Sequence, residues 1–380
     1  MRRVQARIGS QPGRTGAAVG ARNAPRRDRV AEGWGFTRPG DRWTAMGLED
    51  SRSRRRVPCP TVRRHEASSL RRDRRASGSA PRPRRAASVA WCPMSASGPI
   101  THVSDTARWV ALYRAMESER PDALFRDPYA RRLAGERGEQ ILRTMRKGTS
   151  WAWPMIVRTA VVDEVILRAI ARDGVDTVVN LASGLDTRPY RLSLPPALRW
   201  FDVDFPAVIA YKREQLRGER PVCVLEYAAA DLTNAAERRA LFARVGAATR
   251  AALVISEGLL IYLTAEQVTG LATELHGQPS FRWWLIDLAS PALLKMMETS
   301  WGQAVAAGDA PFQFAPAEGT QFFEASGWRE AEYRSTWDES LRLKRSMRFA
   351  RLWTLVGRFA PKRRRDEWRR FSGIVLLERG

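Results

Sequence analysis

The chain has 380 residues, 44% of them hydrophobic, enough for one large α/β domain with additions or for two average domains. Its formal net charge of +23 is unevenly spread, because residues 1–93 hold 23 arginines, no lysine and seven acidic residues, leaving 41 basic against 34 acidic residues, a net +7, in residues 94–380. The total charge is therefore no sign of a stable nucleic-acid partner for the folded part, and the three cysteines (Cys59, Cys92, Cys223) and three histidines (His65, His102, His276) have neither a disulfide framework nor metal-ligand spacing.

Residues 1–93 show no apolar period lasting two helical turns and are expected to be disordered. Arginine runs such as Arg54-Arg55-Arg56 and Arg71-Arg72 would suit a nucleic acid or an anionic membrane, and an arginine-rich, acid-poor stretch also has the composition of a targeting peptide. The expectation adopted is a plainer one: upstream sequence translated from a GC-rich frame, with the folded domain covering 94–380 from Met94. With no run of transmembrane length and no secretory signal, a soluble cytoplasmic protein is expected.

From Met94 onward helical and strand signals alternate, which predicts an α/β fold with a mostly parallel sheet covered on both faces. Ser104 or Asp105 caps a helix with Trp109, Leu112, Tyr113 and Met116 on one face, ended by Pro121. A second, about 158–172, aligns Val162, Val165, Ile166 and Ala169. Strands are predicted at Thr177–Leu181, Trp200–Val203, Val222–Leu225, Leu253–Ser256 and Trp283–Leu288, with helices near 207–216, 235–245 and 265–275 between them. Trp328–Tyr333 and Gly373–Leu377 read as a closing antiparallel pair. Between that pair, residues 341–370 carry an amphipathic stripe of Phe349, Leu352, Trp353, Val356 and Phe359, followed by Lys362-Arg363-Arg364-Arg365. The stripe is expected to pack on its own domain, in preference to a lid or a membrane-surface helix.

The chemistry concentrates where strands end. Asn180-Leu181-Ala182-Ser183-Gly184 closes the first strand in small residues, so a ligand can approach the backbone; Asp204 lies twenty positions beyond Gly184, at the end of the second strand, where an acid can accept from ribose hydroxyls. Ala182 occupies a position that a Gly-x-Gly fingerprint would give to glycine, so on this stretch alone an ordinary tight turn competes with a nucleotide site. Asp231-Leu232 follows the third strand, placed to accept from an adenine amine and to pack on its ring, and Glu257 follows the fourth at the edge where open α/β sheets bind ligands.

In their order, Ser104-Asp105-Thr106-Ala107, Phe125-Arg126-Asp127-Pro128-Tyr129-Ala130, Arg158-Thr159 with Asp163, Gly184-Leu185-Asp186-Thr187-Arg188, Asp202-Val203-Asp204-Phe205-Pro206, Asp231-Leu232 and Glu257-Gly258-Leu259-Leu260-Ile261-Tyr262-Leu263 resemble the leucine carboxyl methyltransferase family. Within it the chain is similar to the bacterial branch that includes the tetracenomycin polyketide O-methyltransferase. The resemblance implies a Rossmann-like class I methyltransferase fold, with a seven-stranded sheet and extra N-terminal helices, S-adenosyl-L-methionine as cofactor, and no metal. It further implies that Arg158 pairs with the methionine carboxylate, through a guanidinium fork suited to that group, Ala182 and Gly184 line the amino-acid moiety, Asp204 holds the ribose, Asp231 and Leu232 hold the adenine, and Glu257 lies near the methionine part or the transferred methyl. Ala182 would add one methyl group beside the cofactor. Asp186 and Arg188 are expected to pair or to cap the next helix, Asp127-Pro128-Tyr129 to form a seating turn, and Trp151 and Trp153 either to wall the substrate pocket or to pack in the core.

Neither His102 nor His276 falls in these motifs, so no general base is evident and a carboxylate or acidic phenol of a small-molecule acceptor is expected, with Tyr262, Tyr113 or Asp287 as the alternatives for a base. No Asn/Asp-Pro-Pro-Tyr/Phe element follows the fourth strand, which disfavours N-methylation. The other readings are a nucleic-acid-binding protein acting through its basic tail and a catalytically inactive cofactor binder.

Overall fold

The computed structural model describes residues 103–144, 148–306, 311–357 and 359–380; the expectations for residues 1–93 lie outside the described residues. Three helices, not two, precede the first strand: α1 (Val103–Ser118), α2 (Ala130–Thr144) and α3 (Ala152–Arg172). The unpredicted α2 is kinked at Gly135 (φ 59°), and its Arg- and Glu-rich exposed positions obscure a short buried stripe of Leu133, Ala134, Gly138 and Ile141. α1 starts at Val103, a residue before the expected cap, with Asp105 in its first turn paired to Arg137 at 2.9 Å. α3 begins six residues ahead of its predicted start.

Strand and helix then alternate through β1 (Thr177–Leu181), α4 (Arg188–Arg191), β2 (Arg199–Asp204), α5 (Pro206–Gln215), β3 (Val224–Ala229), α6 (Ala235–Ala247), β4 (Ala252–Ser256), α7 (Ala265–His276) and β5 (Phe281–Ala289). An unpredicted α8 (Pro291–Ala306) follows, then β6 (Trp328–Ser335), the short helices α9 (Thr336–Arg342), α10 (Ala350–Gly357) and α11 (Lys362–Arg369), and β7 (Ser372–Arg379). The sheet runs β3-β2-β1-β4-β5-β7-β6, parallel from β1 to β5, with β7 antiparallel to both of its neighbours. This is the expected Rossmann-like sheet. Side-chain alternation gives it two apolar faces: Val179, Leu181, Phe201 and Val254 pack with Phe242 of α6 and Leu271 of α7, while Val178, Trp200, Leu253 and Ile255 pack with Val161, Val165 and Ile166 of α3.

Two expectations fail on burial. β3 starts at Val224, two residues late, and as the sheet's edge strand it leaves Val222 and Val224 exposed, so it is not covered on both faces. The stripe at 341–370 does not pack on its own domain: Phe349, Leu352, Trp353, Val356 and Phe359 are between 49% and 87% exposed. The stripe is cut by a left-handed residue at Phe349 (φ 63°) and by Pro361, so it forms short helices and no long helical face, and α10 spans only eight residues.

The sheet also fixes where a ligand can lie. The chain leaves β1 toward β2 on one side and returns to β4 on the other, and at such a reversal the helices diverge beyond the carboxyl ends of the strands, opening a crevice. Asp204, Glu257 and Asp287 all stand at this rim. Asp202, two residues before Asp204, does not: it accepts from Lys212 Nζ of α5 at 2.6 Å, with both side chains fully buried, and belongs to the scaffold.

Candidate active site

Beyond β1 the backbone turns through Ala182 and Gly184, both at φ 50°. Glycine takes that conformation without strain, and a Cβ on Gly184 would also come within 3.2 Å of the Ala107 Cβ of α1. Asp204 holds the turn: its carboxylate accepts the Gly184 N–H at 2.6 Å and the Phe205 N–H at 2.7 Å. Burial pushes the Asp204 carboxyl up from its usual range, against those two donors. In the same turn Ser183 Oγ is buried without a hydrogen-bond partner.

A charged floor lies across the rim. Arg158, one of the few polar side chains on the face of α3 that meets the sheet, donates through Nε to Glu257 at 2.9 Å and through Nη1 to Asp287 at 2.7 Å. Gly258 (φ 68°) donates its N–H to Asp287 at 2.7 Å, and a Cβ there would approach the Arg158 guanidinium to 3.3 Å. Arg188 donates to Asp163 at 2.6 Å, Asp186 at 2.7 Å and Glu257 at 2.8 Å, and Arg191 makes a two-pronged pair with Asp163. Four carboxylates thus share three guanidinium groups. Burial disfavours the charged forms of Asp186 and Glu257, yet the Arg188 guanidinium, joined by Arg158 at Glu257, outweighs it and holds both below the usual carboxylate range.

Above this floor is a cavity of about 240 Å³. Its walls are apolar and aromatic, with Trp109 of α1, Trp151, Ile261, Tyr262, Met297 of α8 and Phe312. Burial pushes the Tyr262 hydroxyl up, so it stays protonated at neutral pH. Among the expected site residues, Arg158, Ala182, Gly184 and Glu257 line the cavity and Asp204 sits one hydrogen bond behind Gly184. Asp231 and Leu232 are not brought into it: Asp231 accepts from the Thr233 N–H at 2.8 Å and hydroxyl at 2.7 Å, and Leu232 packs on the core under α6 and α7.

Residues 107–276 match the leucine carboxyl methyltransferase family model. The match runs from α1 to α7 and takes in Arg158, Asp163, the 182–188 turn, Asp204 and Glu257. A Streptomyces coelicolor protein, named as a candidate S-adenosyl-L-methionine-dependent methyltransferase, is 38% identical over 188 residues, 46% of this chain and 64% of that protein. A Mycolicibacterium smegmatis protein named in the same way is 39% identical over 183 residues, covering 44% and 60% of the two chains. The chain thus spans less than two thirds of the length of these relatives. Among solved structures, a DUF574 family protein from Streptomyces avermitilis superposes over 75% of this chain and 100% of its own, at 13% identity and a TM-score of 0.49.

Within the region matching the methyltransferase family, the paired-and-capping role expected of Asp186 and Arg188 is present: Asp186 also accepts the Arg188 N–H at 2.8 Å, and both side chains line the cavity. Asp127 forms the expected seating turn, accepting from Arg114 at 2.9 Å and Thr187 at 2.7 Å. Trp151 lines the cavity while Trp153 packs against the α3 core. Asp287 lies beyond the family match, and the sequence offers it only as an alternative base; its signal is a lone acid near the carboxyl end of a strand that is apolar from Trp283 onward.

Ala182 is a conformational compromise in the turn after β1. A left-handed φ costs an alanine about 1–2 kcal/mol, and glycine's extra freedom in the unfolded chain returns about 0.5–1 kcal/mol of that. Ala182→Gly is expected to raise stability by about 0.5–1 kcal/mol, seen as a higher urea midpoint; a lower midpoint would mean that the alanine methyl packs favourably in the turn.

Proposed function

We propose that this protein transfers the methyl group of S-adenosyl-L-methionine to an oxygen of a small molecule, most simply a carboxylate. The observation that carries the reading is the charge pattern at the rim: four carboxylates against three guanidinium groups, beside a turn pinned by a fifth carboxylate, Asp204. A sulfonium nucleoside carries one net positive charge at neutral pH, and a site with excess carboxylate complements it. The residues fit such a group. Arg158 spends Nε and Nη1 on Glu257 and Asp287, and its Nη2 has no partner among the described residues, so it can serve one carboxylate oxygen, in place of the two-pronged fork the resemblance suggests. Glu257 and Asp186 face the cavity and suit an ammonium, and Asp204 keeps lone pairs for ribose hydroxyls after accepting two N–H groups. The buried Ser183 hydroxyl needs a partner that the described residues do not supply. Asp231 and Leu232, one strand farther along the same rim, are assigned the adenine end.

The bound cofactor supplies an electrophilic methyl whose sulfur leaves as a neutral thioether when an oxygen nucleophile attacks in line. The chain's residues do the rest by placement. Trp109, Trp151 and Phe312 give the acceptor an apolar wall that excludes water. No histidine is among the residues lining the cavity, Tyr262 stays protonated, and Glu257 and Asp186 are ionised and paired, so none of these is poised to take a proton near neutral pH. An acceptor that arrives ionised needs no such group. Calorimetry with S-adenosyl-L-methionine, followed by a labelled-methyl screen over carboxylic acids and phenols, tests this: the expected product is a methyl ester whose label becomes volatile in alkali. Absence of cofactor binding, or label fixed on nitrogen, would refute it.

A further inference from the structure

The exposed segment between α9 and β7 is chemically unlike the rest of the molecule. Residues 344–370 contain eleven basic and two acidic residues, a net +9 that exceeds the net +7 of all of 94–380, so the remainder of that region is slightly acidic. Some of these cations are spent on structure: Arg345 pairs with Glu117, Arg370 with Glu330, and Arg363 with Glu367. Lys362, Arg364 and Arg365 are exposed and have no ion-pair partner among the described residues. Beside them stand large apolar side chains that face solvent. Phe359 is 87% exposed, and Met347, Phe349, Leu352, Trp353, Leu355 and Val356 are about half exposed or more. α11 meets α10 where a Cβ on Gly357 would come 3.0 Å from the Trp368 ring, which joins the apolar helix and the basic helix in one short hairpin.

We infer that this hairpin seats the protein on an anionic lipid surface. Its occupant must be both apolar and negatively charged. A second copy docking the same patch on itself would set +9 against +9, and the arginine-rich residues 1–93 carry the same sign, so charge opposes both. A bilayer with acidic headgroups satisfies both requirements: Trp353, Phe349 and Phe359 enter the headgroup boundary while Lys362, Arg364 and Arg365 remain among the phosphates. No helix among the described residues is long and apolar enough to cross a membrane, so the contact lies in the plane of the interface. The hairpin also runs directly into the cavity rim, since Ser372 lines the cavity and the Ser290 N–H donates to the Phe371 carbonyl at 3.0 Å.

The test is co-sedimentation of the full chain with vesicles of phosphatidylcholine containing one-third phosphatidylglycerol, against phosphatidylcholine alone, at physiological salt. Wild type is expected to partition onto the anionic vesicles. Two variants, Phe349→Ser with Trp353→Ser and Phe359→Ser, and Lys362→Glu with Arg364→Glu and Arg365→Glu, are each expected to lower that partition more than about tenfold with unchanged thermal unfolding, since all six side chains are exposed. Full partition by both variants would assign membrane binding to other parts of the chain and overturn the inference. So would a wild type that ignores both vesicle types, or a self-associating wild type that the serine variant turns into a monomer.

Discussion

Arg188→Met is expected to destabilise the protein by about 3–5 kcal/mol at neutral pH, because removing one member of a buried ionic network strands its partners. The guanidinium, with 3% of its side chain exposed, is shared by Asp163, Asp186 and Glu257, and no other single residue touches all three. The loss carries a pH signature. In the wild type Asp186 and Glu257 have folded-state pKa values below their ordinary 3.8 and 4.5, so their contribution is fully present above those values and is lost as pH falls through the depressed ones. In the variant the crowded carboxylates have lost Arg188 and keep their burial, which raises their pKa values; the folded variant gains stability as pH falls through them. The gap between the two proteins should therefore narrow between pH 7.5 and pH 5 in urea titrations. A deficit below about 1 kcal/mol, or one unchanged by pH, would show that Arg158 and Arg191 neutralise the floor without Arg188.

Asp204→Ala is expected to weaken S-adenosyl-L-methionine binding by about 10–100-fold, the range for losing hydrogen bonds to a charged group. Two effects combine. The proposed ribose contact disappears, and the Gly184 N–H, now held at 2.6 Å, loses the acceptor that fixes the turn at φ 50°. Asp231→Ala, whose carboxylate is already engaged by Thr233 outside the cavity, should cost less than about tenfold. Calorimetric titration of the two variants checks the order. Equal affinity of wild type and Asp204→Ala would remove Asp204 from the binding site, and a larger loss at Asp231 would move the nucleoside toward β3.

The sheet is legible because strand residues covered on both faces read as short apolar runs, and the runs of β1, β2, β4, β5 and β7 each fall on a strand; the polar edge strand β6 is legible only as the partner of β7 in a closing pair. Where coverage fails, the reading slipped, as at the exposed start of β3. α2 and α8 escaped because kinks, glycine and small residues dilute a 3.6-residue period. Periodicity also says that a side is apolar without saying what meets it, and so the stripe near Trp353 reads as interior although it faces outward. At the site, the residues on strand ends were found because the end of a strand is a position that sequence can mark. The linkage among them is not marked in that way, since Glu257 and Asp287 lie 99 and 129 positions from Arg158, the arginine they share, and meet it only through the fold.

β7 has an interior place in the sheet, between β5 and β6, yet residues 372–379 are synthesised after both. Until those residues clear the ribosome, each of the two older strands offers a bare row of amide and carbonyl groups to any passing chain. Completion of this sheet is thus a late event in biogenesis, and a chain ending just before residue 372 would be a sticky, chaperone-dependent product in place of a slightly shortened version of the folded protein.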